Sequence, residues 1–417
     1  MNIGPSSAVD VSQYNKPKEK LEVYYGLPRD IKFCKICNMS NQQPMSSNEY
    51  LHNKESTKST LSFDEKGVCH ACNFNNLKES GEINWDEREQ ELIELCNKHR
   101  KNDGSYDCIV GGSGGKDSVM QSHLLKYKYG MHPLTVTWAS ALPTEIGTEN
   151  LLKFIQSGFD NILATPNGEI HKKLSRLALE EFGDNFLPFI YGQLNFPSQI
   201  AVKYNIPFIM FGEAGDVEYG GAIDHYNEPK LQWDFIEETD MTNLPPEYWK
   251  KHGLTDEHLQ FYKAPGLNEI KSKGIEAHYF SYYQDWKPEL HYKIASEHLG
   301  FKPEPSGRSE GTYTSFASLD DKTDCFHYYM AFIKFGIGRA TSDAAHQIRD
   351  EIITRDEGVE LVHKYDDEFP KKYLKDSLEY LNLNLKKLNE IIDKFRRPII
   401  WNKEGNDWKL KEKVSKI

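Results

Sequence analysis

An α/β fold built on a parallel sheet is what the central part of this sequence predicts, and two observations predict it. From Tyr106 onward, short apolar runs alternate with stretches of helical spacing. Apolar strands separated by helices make a parallel sheet covered on both faces. A glycine-rich turn follows the first apolar run, and ligands of such sheets sit beyond the carboxyl ends of the strands.

Taken in order, residues 1–30 read as a polar N-terminal extension, and residues 31–80 hold two cysteine pairs around a polar insert. A helix is expected over 84–101, where Leu92, Leu95 and Cys96 share one face. The α/β domain is expected over 84–220. Its strands are placed at Tyr106–Val110, Pro133–Trp138, Asn161–Ala164 and Pro207–Phe211. Its helices are placed at Asp117–Tyr129, Asn150–Ser157, His171–Phe182 and Phe196–Tyr204. Residues 221–320 are aromatic, acidic and less regular, and 321–417 return to helical patterns. The aromatics of that middle segment, Trp233, Trp286 and the YFSYYQDW run among them, either line a pocket or fill a core.

With 417 residues, 38% of them hydrophobic, the chain has material for a sizeable core and about two domains. A net charge of −12 and a pI of about 5.7 argue against a general nucleic-acid binder. No apolar run reaches the length of a membrane span, and the N-terminus lacks the apolar centre of a signal peptide. A cytoplasmic protein is expected, with no membrane and no nucleic-acid partner.

The turn reads Ser113-Gly114-Gly115-Lys116-Asp117-Ser118. It is not a Walker A loop, because Asp117 follows Gly115-Lys116 and Val110 stands where the first glycine belongs. It is not the dinucleotide fingerprint either, because the third glycine is replaced by Asp117. The remaining pattern, S-G-G-x-D-S, resembles the PP-loop of the ATP pyrophosphatases, the adenine nucleotide alpha hydrolase-like fold. Glycines let backbone amides close on a diphosphate, and the following helix aims its N-terminus at the anion. Ser113 and Ser118 offer hydroxyls and Lys116 a charge. Asp117 either holds Mg²⁺ or caps the helix. The resemblance implies cleavage of ATP to AMP and pyrophosphate.

Cys34 and Cys37 pair with Cys69 and Cys72 as C-x₂-C…C-x₂-C. Four thiolates on two knuckles suit a tetrahedral, structural Zn²⁺. The odd total of seven cysteines argues against a disulfide framework.

The stretch after the fourth strand, FGEAGDVEYGG, ends the strand in Gly212-Glu213 and places Glu213, Asp216 and Glu218 near the sheet's carboxyl edge, as candidate ligands for Mg²⁺ or polar substrate groups. Trp138 ends the second strand and either flanks adenine or belongs to the core. FIKFGIGRATSDAAHQIRD carries Lys334 and Arg339 before a Thr341-Ser342-Asp343 helix start, either a phosphate grip or a plain helical turn with a surface arginine.

Together FDEKGVCHAC, DCIVGGSGGKDS, FGEAGDVEYGG, FIKFGIGRATSDAAHQIRD and ITRDEGVELVHKYDDEFP resemble the N-acetyl sugar amidotransferases, PP-loop proteins of bacterial surface-sugar and nonulosonic-acid biosynthesis. The resemblance covers roughly residues 31–385. It implies ATP, Mg²⁺ and an N-acetylated sugar, either nucleotide-linked or a nonulosonic acid. It implies that Lys116, Asp117, Glu213 and Arg339 carry catalysis, with Ser113–Ser118 and Gly212 at the nucleotide. It also implies an ammonia source. Residue 2 is Asn, which excludes an N-terminal-cysteine glutaminase, and Cys96, Cys108 and Cys325 lack the setting of a triad. A separate class I glutaminase subunit is therefore the expected partner. The competing readings are a PP-loop tRNA thiolase or ligase, and a zinc-ribbon adaptor that only senses ATP.

Overall fold

The computed structural model describes residues 27–44, 60–220, 226–233, 244–405 and 407–416. Most of the N-terminal extension (1–26) and the polar insert (45–59) lie outside the described residues. The strands are β1 (Cys108–Gly111), β2 (Pro133–Trp138), β3 (Asp160–Ala164), β4 (Phe208–Phe211) and β5 (Glu276–Tyr279). They form one sheet in the order β3-β2-β1-β4-β5, with every pairing parallel. The first four fall within two residues of their predicted places.

The strand interiors obey a period of two. Ile109 and Ile209 face a core built with the long helices α5 (Gly168–Phe182) and α6 (Leu187–Tyr204). Cys108, Val110, Phe208 and Met210 face the other way. They meet Leu92, Leu95 and Cys96 of α2 (Trp85–His99) and Met120 of α3 (Lys116–His123). Both faces are covered, as a parallel sheet requires.

Several elements differ from the sequence reading. Helix α4 (Glu145–Gln156) begins a full turn earlier than expected, because the Thr144 hydroxyl caps it by accepting from the Gly147 amide. Helix α3 runs into a π turn at Leu124–Lys128. Helix α6 begins at Leu187 rather than Phe196: Pro188 suits a helix's first turn, while the interior Pro197 marks a false start. Strand β5 was not anticipated. It lies at the sheet edge, and its Glu276 is surrounded by Lys98, His99 and Lys230.

Chain order reverses at β1. The sequence runs outward through β2 and β3, then returns through α5 and α6 to lay β4 on the other side of β1. The loops after β1 and β4 therefore flank one crevice, the expected ligand position of an open α/β sheet. Beyond the sheet come α7 (Pro288–Leu299), a long irregular segment, then α8 (Asp324–Phe335), α9 (Arg339–Arg349), α10 (Arg355–Tyr365), α11 (Leu374–Leu381) and α12 (Leu385–Phe395). The antiparallel pair β6 (Trp401–Glu404) and β7 (Asp407–Leu410) closes the chain's described part. The four paired cysteines pack in the same hydrophobic cluster as Phe326, Met330, Ile333, Ile391 and Trp401.

Gly192 of α6 shows how tightly the sheet is covered. A Cβ there would lie 1.9 Å from Cδ2 of the Trp138 indole at the end of β2. Gly192→Ala is therefore expected to destabilise the fold by about 1–3 kcal/mol, the usual range for overpacking. A fall in thermal midpoint relative to wild type checks this, and an unchanged midpoint contradicts it.

Candidate active site

The glycine turn folds as a cradle. Gly112 donates its amide to the Val136 carbonyl at 2.9 Å, and Thr137 Oγ1 donates to the Gly112 carbonyl at 2.6 Å, so β2 holds the loop's base. Gly114 has φ +87, and a Cβ there would sit 2.6 Å from Leu151 Cα. Only glycine fits both the dihedral and the space. Gly115 is the N-cap of α3, so the first amides of that helix have no intrahelical partner and point toward the turn.

Two cavities open from this turn. The first, about 240 Å³, lies between the glycine loop and the ends of β2 and β4, and its walls include Ser113, Ser118, Trp138, Phe196 and Gly212. The second, about 320 Å³, lies between α3, α7 and one face of α9, and its walls include Lys116, Trp286, Tyr328 and Arg339. Asp117 and Glu213 line both. The two cavities are thus one site with two chambers that meet at a pair of carboxylates.

All four residues assigned to catalysis from the sequence line the second chamber. Lys116 Nζ lies 2.7 Å from Asp117 Oδ2, and His291 Nδ1 of α7 lies 2.8 Å from Asp117 Oδ1. Burial alone would raise the Asp117 carboxyl, but Lys116 and His291 outweigh it and hold it below the usual carboxylate range. Burial, followed by the charge of Asp117, raises the Glu213 carboxyl. The Tyr219 hydroxyl reaches Glu213 Oε1 at 3.5 Å. Arg339 Nε is 3.0 Å from Asp343 Oδ1, and its guanidinium also donates to the Tyr328 hydroxyl. Asp343 in turn accepts from Thr312 and Thr314.

Other expectations change. Glu218 is not in the site. The short helix Gly215–Glu218 turns it back toward α1 (His70–Glu79), where it pairs with Lys78 at 2.9 Å and is buried. Lys334 is also absent from the site: it is buried and donates to the Phe182 carbonyl at 3.2 Å. The side chain of Asp216 lies outside the described residues. The hydroxyls of Ser113 and Ser118 are turned to protein partners, Asp320 and the Gly115 carbonyl at 3.0 Å. Trp138 answers both readings, since Phe196, Phe261 and Tyr262 surround it and it still lines the first chamber. Of the middle-segment aromatics, Trp286 lines the second chamber. Trp233 and Tyr283 pack into cores.

Three residues of the site escaped the sequence reading. Asp320 comes from the irregular segment before α8 and bonds to Ser113. Burial pushes its carboxyl up to about 6, with Asp324 and Asp321 adding to the rise. His291 is buried on α7, in a stretch that carries no motif. Phe316, from the same segment as Asp320, places its ring 5.2 Å from Lys116 Nζ.

The four paired cysteines are buried and bring their Sγ atoms within 4.8 Å of one another. Cys34 and Cys72 are 3.8 Å apart, and Cys37 and Cys69 3.6 Å. A tetrahedral ion with metal–sulfur bonds of ~2.3 Å would space its thiolates about 3.8 Å apart, so the donor set fits one four-coordinate ion. The amides of Ile36 and Cys69 point at Cys34 Sγ, and Arg355 donates to the carbonyls of Cys34 and Cys37. Burial raises the Cys96 thiol to about 12, and it also raises the thiols of Cys108 and Cys325.

Residues 310–415 match the C-terminal domain of the WbpG-like LPS biosynthesis proteins. The match falls on the helices that roof the second chamber and supports the resemblance to the surface-sugar amidotransferases. An uncharacterized protein of Methanocaldococcus jannaschii, MJ1599, is 33% identical over 96 residues, which span 23% of this chain. The match spans about a third, 34%, of that relative's length. Among solved structures, the NMN synthetase of Francisella tularensis is 13% identical, with 54% of this chain and 89% of that one covered and a TM-score of 0.24. The U34-tRNA thiolase NcsA of Methanococcus maripaludis, solved with its [4Fe-4S] cluster, is also 13% identical, with coverages of 79% and 88% and a TM-score of 0.29. Both are loose overlaps, and the parallel sheet of this chain stands on its own strand register. No helix of the described residues is long and apolar enough to cross a membrane.

The cysteine geometry predicts one metal ion per chain by elemental analysis of protein purified without chelator. Cys34→Ser and Cys72→Ser together should remove it and lower the melting temperature, because those thiolates pack among the C-terminal helices. Metal-free wild-type protein that melts like the metal-loaded form would contradict this.

Proposed function

We propose that this chain is an ATP-dependent amidotransferase that converts a sugar N-acetyl group to an acetamidino group, releasing AMP and pyrophosphate, in bacterial surface-sugar biosynthesis. The observation that carries the reading is the two-chambered site joined at Asp117 and Glu213. One chamber has a phosphate cradle at the sheet's switch point. The other is roofed by the region that matches the WbpG-like domain.

ATP enters the first chamber with its phosphates on the Gly112–Gly115 backbone and the N-terminus of α3, where partial positive charge favours anions. Lys116 and Arg339 add full charges on the side of the second chamber. Asp117 would hold Mg²⁺ on the triphosphate, and that ion would supply charge neutralisation. The acceptor sugar lies in the second chamber, with its acetamido oxygen directed at the chamber junction. That oxygen attacks the α-phosphorus and expels pyrophosphate, which turns a poor leaving group into AMP. Ammonia then adds to the acetamido carbon, and AMP departs. Trp286 and Phe316 offer aromatic faces suited to a sugar ring and keep water from the junction.

Ammonia comes from a separate class I glutaminase subunit. The thiols of Cys96, Cys108 and Cys325 have their pKa values raised by burial, the reverse of what a cysteine nucleophile needs. The ion assigned to the four cysteines is a structural Zn²⁺, since four closely spaced thiolates leave no open coordination position.

The reading is tested by mixing the chain with ATP–Mg²⁺, ammonium and a panel of nucleotide-linked N-acetyl sugars and N-acetylated nonulosonic acids. AMP formation with one sugar lighter by about one mass unit is expected. AMP with no sugar change would move the reading to RNA modification, and no AMP at all would favour a sensing adaptor. Lys116→Ala and Asp117→Asn should each lower turnover by about a hundredfold or more, as for loss of a charge-stabilising group.

Asp320 gives a pH dependence. Its carboxyl, raised to about 6 by burial, faces Ser113 in the cradle and is influenced by Asp321, Asp324 and Lys116. A phosphate arriving there favours the protonated form, so binding takes up a proton and weakens as pH rises through 6. Calorimetric titration with ATP should show that weakening in wild type and a flatter profile in Asp320→Asn. Identical profiles would remove Asp320 from the cradle's electrostatics.

A further inference from the structure

Helix α9 presents one unbroken stripe to the second chamber. Arg339, Ser342, Asp343, His346, Gln347 and Asp350 recur at helical spacing and all line its wall. Most of the polar groups along that wall are already engaged. Arg339 is held by Asp343 and Tyr328, and Asp343 also by Thr312 and Thr314. Gln347 is held by Tyr313 at 2.8 Å and by Glu289. Lys116 is held by Asp117.

His346 stands apart. It is 8% exposed, and its Nε2 is enclosed without a hydrogen-bond partner. A buried polar atom left unpaired carries a cost and calls for a reason. Its ring lies edge-on to Tyr219, with centroids 5.0 Å apart, and the Tyr219 hydroxyl reaches Glu213 at the chamber junction. The groups acting on it are Arg349, Lys78, Lys116 and Arg339, and Asp343 and Asp350 line the same wall. Burial comes first among the causes, followed by those four cations, and together they keep the imidazole neutral. The carboxylates of Glu289, Asp343 and Asp350 give the same wall the charge that attracts an ammonium or a primary amine.

We propose that His346 is the proton acceptor for the nitrogen nucleophile of the second half-reaction. The assignment rests on the amidotransferase reading above. As the nitrogen lone pair forms the new C–N bond to the activated acetamido carbon, one proton of that nitrogen passes to the imidazole. The C–O bond to adenylate breaks, and its electron pair leaves on AMP. No oxidant or further reactant is needed. The first half-reaction, in which the acetamido oxygen expels pyrophosphate, makes no use of this histidine.

The separation of the two halves supplies the test. Full-length wild type and His346→Gln are compared in pyrophosphate–ATP exchange with the same panel of N-acetylated sugars and no ammonia. They are then compared in amidine formation with ammonium, and with hydroxylamine, a less basic nucleophile that gives up its proton more readily. The expected result is unchanged exchange, a fall of about a hundredfold in ammonia-dependent product, and recovery with hydroxylamine. Amidine formation at the wild-type rate would overturn the assignment. So would an equal loss of both halves without recovery, which would mark a structural role. A wild-type chain with no exchange on any sugar would instead sink the amidotransferase reading, and the assignment with it.

Discussion

The carboxylate of Asp117 is fixed between an ammonium and an imidazole, and the site is organised around that contact. Lys116 takes one oxygen and His291 the other, from two helices that pack against each other. About a third of the Asp117 side-chain surface, 37%, is open, and it opens onto both chambers. A carboxylate so held keeps its charge and its direction. Burial and the charge of Asp117 raise the carboxyl of its neighbour Glu213, so that proton is bound more tightly. Two acids at one junction with opposite tendencies are a common arrangement where a proton must move.

The second chamber depends on structure far from the sheet. Helix α9 carries its inner wall, and Asp366 fixes where α9 begins. Its carboxylate accepts from the amides of Gly338 and Thr341, both at 3.0 Å, and from the Thr341 hydroxyl. The four-cysteine cluster braces the same region, since Arg355 at the start of α10 holds the carbonyls of Cys34 and Cys37. Arg349 at the end of α9 donates to the Glu218 carbonyl beside the Lys78–Glu218 pair. The N-terminal cysteines and the C-terminal helices are therefore one support for the chamber roof, although about three hundred residues of chain separate them.

The parallel sheet was legible because its central strands are uninterrupted apolar runs, and the glycine turn at the mouth of the site because glycine, serine and helix start fall in one short order. Arg339 was legible because a glycine precedes it at a helix start. Edge strand β5 was not, because its four residues include Glu276, which faces a cluster of Lys98, His99 and Lys230, and His278, a polar residue buried against Phe208 and Tyr283. Glu218 looked like a site residue from its distance to the strand end. One short helical turn, which no composition signal marks, rotated it into a buried ion pair. His291 and Asp320 arrive from segments roughly 170–210 residues beyond the turn they serve, on a helix and a loop with no motif of their own, and His346 sits inside the FIKFGIGRATSDAAHQIRD stretch with no local signal that sets it apart. Contacts of that range are decided by packing, and local spacing carries no trace of them.

If the chamber junction is where the acetamido oxygen meets the α-phosphorus, that oxygen must leave with AMP. The direct measurement is to supply the acceptor sugar with ¹⁸O in its N-acetyl carbonyl and weigh the AMP produced during turnover with ammonium. Label appearing in AMP, and none in pyrophosphate, is the predicted result. Unlabelled AMP alongside amidine product would mean that the amide oxygen is never adenylylated. The two chambers would then serve a different reaction.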